Sequence, residues 1–144
     1  MTQTVEQALA AAQLFSDNQD YLLVRLPAKA IMSAAGVIAQ IGEPFCAVIV
    51  DKDEVSLVIP AEALDDFKER LPDYQASSST YKLITFDIEL DLGMVGFMAV
   101  VSRALAEAGV PIMTFAAYSR DHLLVPSAQF TVAMDTLKKL QSSS

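Results

Sequence analysis

Apolar and polar positions along the chain follow one pattern twice. Thr4, with Gln7 three places on, is a capping-box pair at a helix start, and Val5, Ala8, Ala12 and Phe15 follow at helical spacing. Tyr21 to Leu26 reads as a strand. Residues 28–42 place Ile31, Ala35 and Ile38 on one helical face and stop at Gly42. "FCAVIV" and "EVSLVI" are two short strands joined by the charged turn "DKD", and they predict a hairpin with Cys46 inside its first, buried strand. Pro60 then opens a helix with Ala63, Phe67 and Leu71 facing inward. Glu62 near its start and Lys68 and Arg70 near its end suit the helix dipole.

A polar, serine-rich connector, "PDYQASSST", precedes the second run. "YKLITFDIELD" alternates, with Ile84, Phe86, Ile88 and Leu90 on one side and Thr85, Asp87 and Glu89 on the other, which predicts a sheet with one face fully buried. A helix opens near Phe97, with Phe97, Val101, Leu105 and Ala108 on one stripe, and ends at Gly109. "IMTFAAY" and "HLLV" predict two strands around "SRD". Ser127 is the expected cap of a last helix facing inward with Phe130, Ala133, Met134, Leu137 and Leu140, and carrying Lys138 and Lys139 in its final turn. Each half therefore reads strand, helix, strand, tight turn, strand, helix. A period near sixty residues suits a small two-layer α/β module better than a solenoid unit.

Composition narrows the chemistry. Of 144 residues 53% are hydrophobic, enough to build a core, and the net charge of -8 argues against a nucleic-acid phosphate backbone as partner. The N-terminal stretch lacks a basic region and carries Glu6, so it reads as a helix and not as a signal peptide. The longest apolar runs are far short of the roughly 20 residues that span a bilayer. A single cysteine forms no internal disulfide, and the expected location is cytoplasmic.

Enzyme chemistry finds few groups. One His and one Cys do not make a metal site, which needs three or four converging ligands, and "DKDE" is shorter than a calcium loop. Cys46 reads as a small core residue. His122, directly after Asp121, reads as a half-buried polar residue at a sheet end, with ligand contact as its other reading. "LGMVG" matches neither a dinucleotide fingerprint nor a phosphate loop, so no cofactor and no metal are expected. Its Gly93 and Gly96 nevertheless lead into a helix whose first N–H groups lack partners and carry a positive dipole. Those groups suit a carboxylate, and Asp91 or Asp121 suits an ammonium, so a zwitterion such as an amino acid fits. An ordinary strand-to-helix turn fits the local sequence as well.

The second half, "VGFMAVVSRALAEAGVPIMTFAAYSRDHLLVP", resembles the ACT domain, a regulatory module attached to enzymes of amino-acid metabolism. Gly96 opening the helix, the "LAEAGV" segment, and the "YSRDHLLVP" turn carry the likeness, which is strongest toward the ACT domains of aspartate kinases and tandem-ACT amino-acid sensors. The resemblance implies an α+β fold of two ferredoxin-like, ACT-like βαββα modules, antiparallel sheets with helices on one face. The expected division is an N-terminal helix over 1–18, a first module over 19–72, a linker over 73–80 and a second module over 81–144.

The resemblance further implies a non-catalytic regulatory protein that senses an amino acid at an interface between modules. Its ligand-binding residues would be Leu92, Gly93, Met94, Val95 and Gly96 in the loop, with Tyr118, Ser119 and Asp121 in the turn. Backbone N–H groups at Val95 and Gly96 would take the carboxylate and Asp121 the cation, with Asp91 and His122 as neighbours. A homodimer or a regulated partner protein is expected, with no membrane. The alternative is a ligand-free dimerisation or interaction module. Two departures from the family are visible. The first half has no glycine loop before its helix, and six strands are legible where two complete modules would have eight.

Overall fold

The computed structural model describes residues 3–143. The chain divides into two compact units. One unit comprises residues 19–81, and the other joins the segment ending at Asn18 to the chain from Lys82 onward. The fold is α+β, and each unit repeats the strand–helix–hairpin–helix order as a ferredoxin-like module.

The unit formed by residues 19–81 contains β2 (Tyr21–Pro27), α2 (Ile31–Ile41), β3 (Ala47–Val50), β4 (Glu54–Pro60), α3 (Ala61–Phe67) and the two-residue β5 (Gln75–Ala76). β4 pairs antiparallel with both β2 and β3, and β5 adds to β2. Val24, Leu26, Val55, Leu57 and Ile59 from the sheet bury against Ala30, Ala34 and Val37. The buried face of α2 is thus Ala34 and Val37, not Ile31, Ala35 and Ile38, because a 3₁₀ turn over Ala28–Ala30 rotates the helix start. Ile38 is part-buried and Ile31 is exposed. Gly42 caps this helix as expected, at φ 67°.

Cys46 lies before β3 and is only part-buried, because the chain turns there to set the Phe45 ring edge-on against Tyr21 at 5.9 Å. β3 itself is mostly exposed and does not form a buried strand. α3 ends at Phe67, and Lys68 and Arg70 continue it as a 3₁₀ turn.

The second unit contains α1 (Val5–Ala11), β1 (Gln13–Phe15), β6 (Tyr81–Asp87), α4 (Phe97–Glu107), β7 (Met113–Ala116), β8 (Asp121–Pro126) and α5 (Phe130–Ser142). The Thr4–Gln7 capping box forms in both directions. The helix it starts ends at Ala11, however, and Phe15 is not on its face. Residues 13–15 pair instead with Asp87, Phe86 and Thr85, since an edge of β6 offers them backbone partners that a longer helix would forgo. Gln141 Nε2 fastens this junction by donating to the carbonyls of Leu9 (2.9 Å) and Ala12 (2.6 Å). β1 and β5 are the two short strands that the hydrophobic pattern does not reveal.

β6 lies next to β8, which pairs antiparallel with β7. Ile84 and Phe86 are fully buried as expected, but Leu83 and Thr85 on the other side are buried too, so the alternation understates the cover. Phe97, Val101 and Leu105 form the inward stripe of α4. Ala108 lies outside it and is exposed, and Val110 is the next buried residue. Ser127 lies in a 3₁₀ turn before α5 and is not its cap, and Lys138 falls short of the last turn.

Leu105 clusters with Phe86, Val101, Leu123 and Leu137 at zero exposure. Leu105→Ala is expected to cost about 2–5 kcal/mol of unfolding free energy, whereas Ala108→Ser should stay within about 0.5 kcal/mol. Urea titrations of both variants would overturn the assigned stripe if the two losses were equal.

Candidate functional site

A cleft of about 290 Å³ lies in the second unit, between the loop after β6 and the β7–β8 turn. It sits at the small end of the range for ligand pockets. Local chemistry builds each wall. After β6 the chain turns at Asp91, whose carbonyl accepts from Met94 N–H at 3.0 Å. Gly96 then adopts φ 97°, a left-handed conformation that costs glycine little, and so becomes the N-cap of α4 without any side-chain cap. The first helical bond runs from Val100 N–H to the Gly96 carbonyl at 3.1 Å, so the N–H groups of Phe97, Met98 and Ala99 precede the intrahelical ladder. Phe97 anchors this turn, its ring edge-on to Phe86 at 5.3 Å.

The opposite wall is the hairpin turn. Ala117 N–H donates to the Arg120 carbonyl at 2.9 Å and closes it. Leu90 N–H donates to the Ser119 carbonyl at 2.7 Å, a bond that holds loop and turn together over a long sequence separation. Arg120 is fixed by its Nε donating to Asp87 Oδ1 at 2.9 Å. Ala116 and Asp121 are direct cross-strand partners, and both line the cleft.

Of the residues expected at the site, Asp91, Leu92, Met94, Gly96, Tyr118, Ser119 and Asp121 line this one cleft. Gly93, Val95 and His122 do not. Val95 is 88% exposed and projects to solvent before the helix begins. The available N–H donors are therefore shifted to Gly96, Phe97, Met98 and Ala99, in place of Val95 and Gly96. His122 follows Asp121 in a strand, so its side chain leaves on the opposite face. There its Nδ1 lies 2.8 Å from the hydroxyl oxygen of buried Thr85.

Met98 and Ala99 follow in principle from a helix starting at Phe97, since the first turn always offers its N–H groups. Arg120, Ala116 and Ala117 carry no such signal, because only the hairpin's fold-back places them against the loop. All lining residues belong to one unit.

The electrostatics are acidic and partly desolvated. Burial pushes the Asp121 carboxyl above its ordinary range, with His122 pulling weakly the other way. Burial likewise pushes the His122 imidazole down, Asp121 opposes this, and Arg120 adds to it. Asp91, Asp121 and Arg120 are the charged groups of the lining, and the arginine is already engaged by Asp87. Among the described residues no cluster of His, Cys, Asp or Glu is placed to hold a metal ion, and no helix is long and apolar enough to cross a membrane.

The two shifts give opposite pH slopes. The fold favours neutral His122, so its contribution is present above the ordinary value of 6.5 and is lost on acidification below it. The fold also favours protonated Asp121, so that contribution is present below 3.8 and is lost as pH rises through its raised value. His122→Gln should therefore flatten the fall in melting temperature as the pH drops below about 6.5. Parallel profiles for variant and wild type would clear the imidazole of this role.

Comparison with known proteins places this geometry in context. A family model described as "ACT domain" matches residues 76–139, which include the whole cleft. No curated protein matches the sequence significantly. Three solved structures share the fold of nearly the whole chain. A Vibrio cholerae protein of unknown function, described as a possible transport protein, is 22% identical, with a TM-score of 0.73 over 96% of each chain. An Agrobacterium tumefaciens protein is also 22% identical, with a TM-score of 0.65 over 85% of this chain and 84% of its own. The ligand-free regulatory subunit of aspartate kinase from Thermus thermophilus is 13% identical, with a TM-score of 0.65 over 90% of this chain and 99% of its own. Residues 76–139 thus match the ACT-domain model, and the chain is similar in fold to the regulatory subunit of an aspartate kinase.

Proposed function

We propose that this chain is a non-catalytic regulatory protein that binds an amino acid in the cleft between the 90–99 and 116–121 segments. The observation that carries the reading is the pairing of opposite recognition chemistries across one small cavity. Uncapped N–H groups and the dipole of α4 face it from one side, and the Asp121 carboxylate from the other. The α-carboxylate of a zwitterion sits at the helix start and its ammonium beside Asp121, with Asp91 at the rim. The ACT-domain match over 76–139 and the likeness to aspartate kinase regulatory subunits support a regulatory role over a catalytic one.

In this reading the second module, 81–144, carries the site, and the first, 19–72, joined to it by 73–80, does not. The equivalent joint in the first module runs from Pro27 into a 3₁₀ turn and has no glycine at the helix start. Leu92, Val95 and Tyr118 are exposed around the cleft and give a further module an apolar surface on which to cover the ligand. Binding would then favour whichever state of the protein holds the cleft closed, and the coupling energy passes to a partner.

A thermal-shift screen of the twenty amino acids tests the reading. At least one should raise the melting temperature, since a ligand at 100 times its Kd adds about 2.7 kcal/mol. Asp121→Asn should remove that shift while leaving the unliganded protein folded. A flat screen at millimolar concentrations sinks the proposal, and an unchanged shift in Asp121→Asn removes this carboxylate from the site.

A further inference from the structure

The opening segment of the chain runs behind both walls of the cleft, whose own lining begins at Leu90. On the loop side, Gln3 Nε2 donates to the Glu89 carbonyl at 3.3 Å. Val5 of α1 lies against the helix start, since a Cβ added at Gly96 would meet its Cγ2 at 3.9 Å. On the turn side, β1 sets Gln13 opposite Asp87, the residue whose carboxylate holds Arg120 at 2.9 Å. Val5 and Leu14 also pack on the same core cluster as Leu90, Met94 and Met98 of the cleft.

Little within this segment holds it in place. α1 has seven residues, and an isolated helix shorter than about 12–15 residues is marginal in water. β1 has three. The buried residues of α1 are Ala8 and Leu9, of which only Leu9 is large. The carbonyls at its C-terminal end, which a helix leaves without intrahelical partners, are taken up from outside. The single side-chain amide of Gln141 on α5 donates to both Leu9 and Ala12, at 2.9 and 2.6 Å. Short ladders and few buried apolar contacts mark a segment that opens without global unfolding.

We propose that the α1–β1 segment is a strap that positions the cleft, and that Gln141 is the positioning residue that fastens it. With the strap seated, Gln3 and Val5 support the loop that carries Gly96, and β1 extends the sheet at Asp87, so loop and turn are presented together. With the strap lifted, the loop and the 118–121 turn lose that backing, and the start of α4 no longer stands at a fixed separation from Asp121. Linkage runs in both directions: a ligand that needs the seated state tightens the strap, and a pull on residues 3–15 weakens binding. Occupancy of the cleft is thereby passed to the N-terminal segment. That the occupant is an amino acid rests on the function proposed above, whereas the strap's grip on the loop does not.

Amide hydrogen exchange of the full, unliganded chain, followed by NMR, tests the strap. Gln141→Leu removes both donated bonds and should speed exchange roughly tenfold or more at Ala8 and Ala12 within the strap. The same acceleration should appear at Leu90, Met94 and Val100, whose N–H bonds to Ser119, Asp91 and Gly96 shape the cleft. Leu57 in β4 should keep its wild-type rate, and Gln141→Lys, which retains a donor, should restore most of the protection. Val5→Ala loosens the same segment without touching α5 and should repeat the pattern at the cleft amides. Any of the twenty amino acids that stabilises the wild type should bind Gln141→Leu roughly tenfold more weakly and slow exchange at Ala8 and Ala12. Unchanged rates at Ala8 and Ala12 in Gln141→Leu overturn the proposal, as does a strap that accelerates without the cleft amides. So does an acceleration that reaches Leu57 equally in both variants, or a ligand whose affinity is indifferent to Gln141→Leu. A flat amino-acid screen strikes the function proposed above and leaves the exchange rates to decide the strap.

Discussion

Phe97 enters the core one residue after Gly96, and its ring meets Phe86 edge-on at 5.3 Å. The whole cleft depends on that step. Burial of the phenyl ring fixes where α4 begins, and φ 97° at Gly96 is the backbone turn that lets the chain reach it. A side chain at Gly96 would meet only Val5 Cγ2, at 3.9 Å, so the demand for glycine here is conformational and not steric. With the helix start held this way, Gly96, Phe97, Met98 and Ala99 line the cavity at a fixed height. The Leu90–Ser119 backbone bond then holds the opposite wall to the same loop. A rigid strand, a rigid helix and one backbone bond between them preorganise the cavity.

The charged groups around it are arranged in opposed pairs. Arg120 is drawn to Asp87 on β6 and so does not neutralise Asp121, which it precedes in the chain. Asp121 faces the cavity, and His122, one residue on, is held on the other side of the strand by Thr85. The result is a carboxylate in a partly desolvated position, followed in the strand by an imidazole of lowered basicity. In the proposed function an incoming ammonium would supply a countercharge to Asp121.

The two modules share a pattern but have diverged in what they leave exposed. In the second, β8 and α5 bury their apolar faces, and the surplus apolar residues, Leu92, Val95 and Tyr118, gather near the cleft. In the first, the strand-to-helix joint is closed by Pro27 and a 3₁₀ turn, and the surplus gathers on α2 and β3.

Much of the architecture was legible in the sequence. The Thr4–Gln7 pair, the Gly42 and Gly109 helix ends, and the alternation through Ile84 and Phe86 each follow from a local rule of capping, backbone freedom or periodicity. The family likeness named the Gly96 joint and the 118–121 turn but set them across an interface between modules, whereas both line one cleft within a single unit. Other features were not local. Residues 13–15 are strand because Asp87, Phe86 and Thr85 offer an open edge, and Leu14 and Phe15 continue a helical spacing equally well. The buried face of α2 rests on Ala34 and Val37, which a 3₁₀ turn selected over the larger Ile31. Asp121 and His122 are adjacent and both polar, and only the pleat of β8 sends one into the cleft and the other to Thr85. The sequence by itself determined which segments fold and in what order, because capping and periodicity act within a few residues. Tertiary structure alone decided which faces those segments present, because burial and strand pairing depend on neighbours distant in the chain.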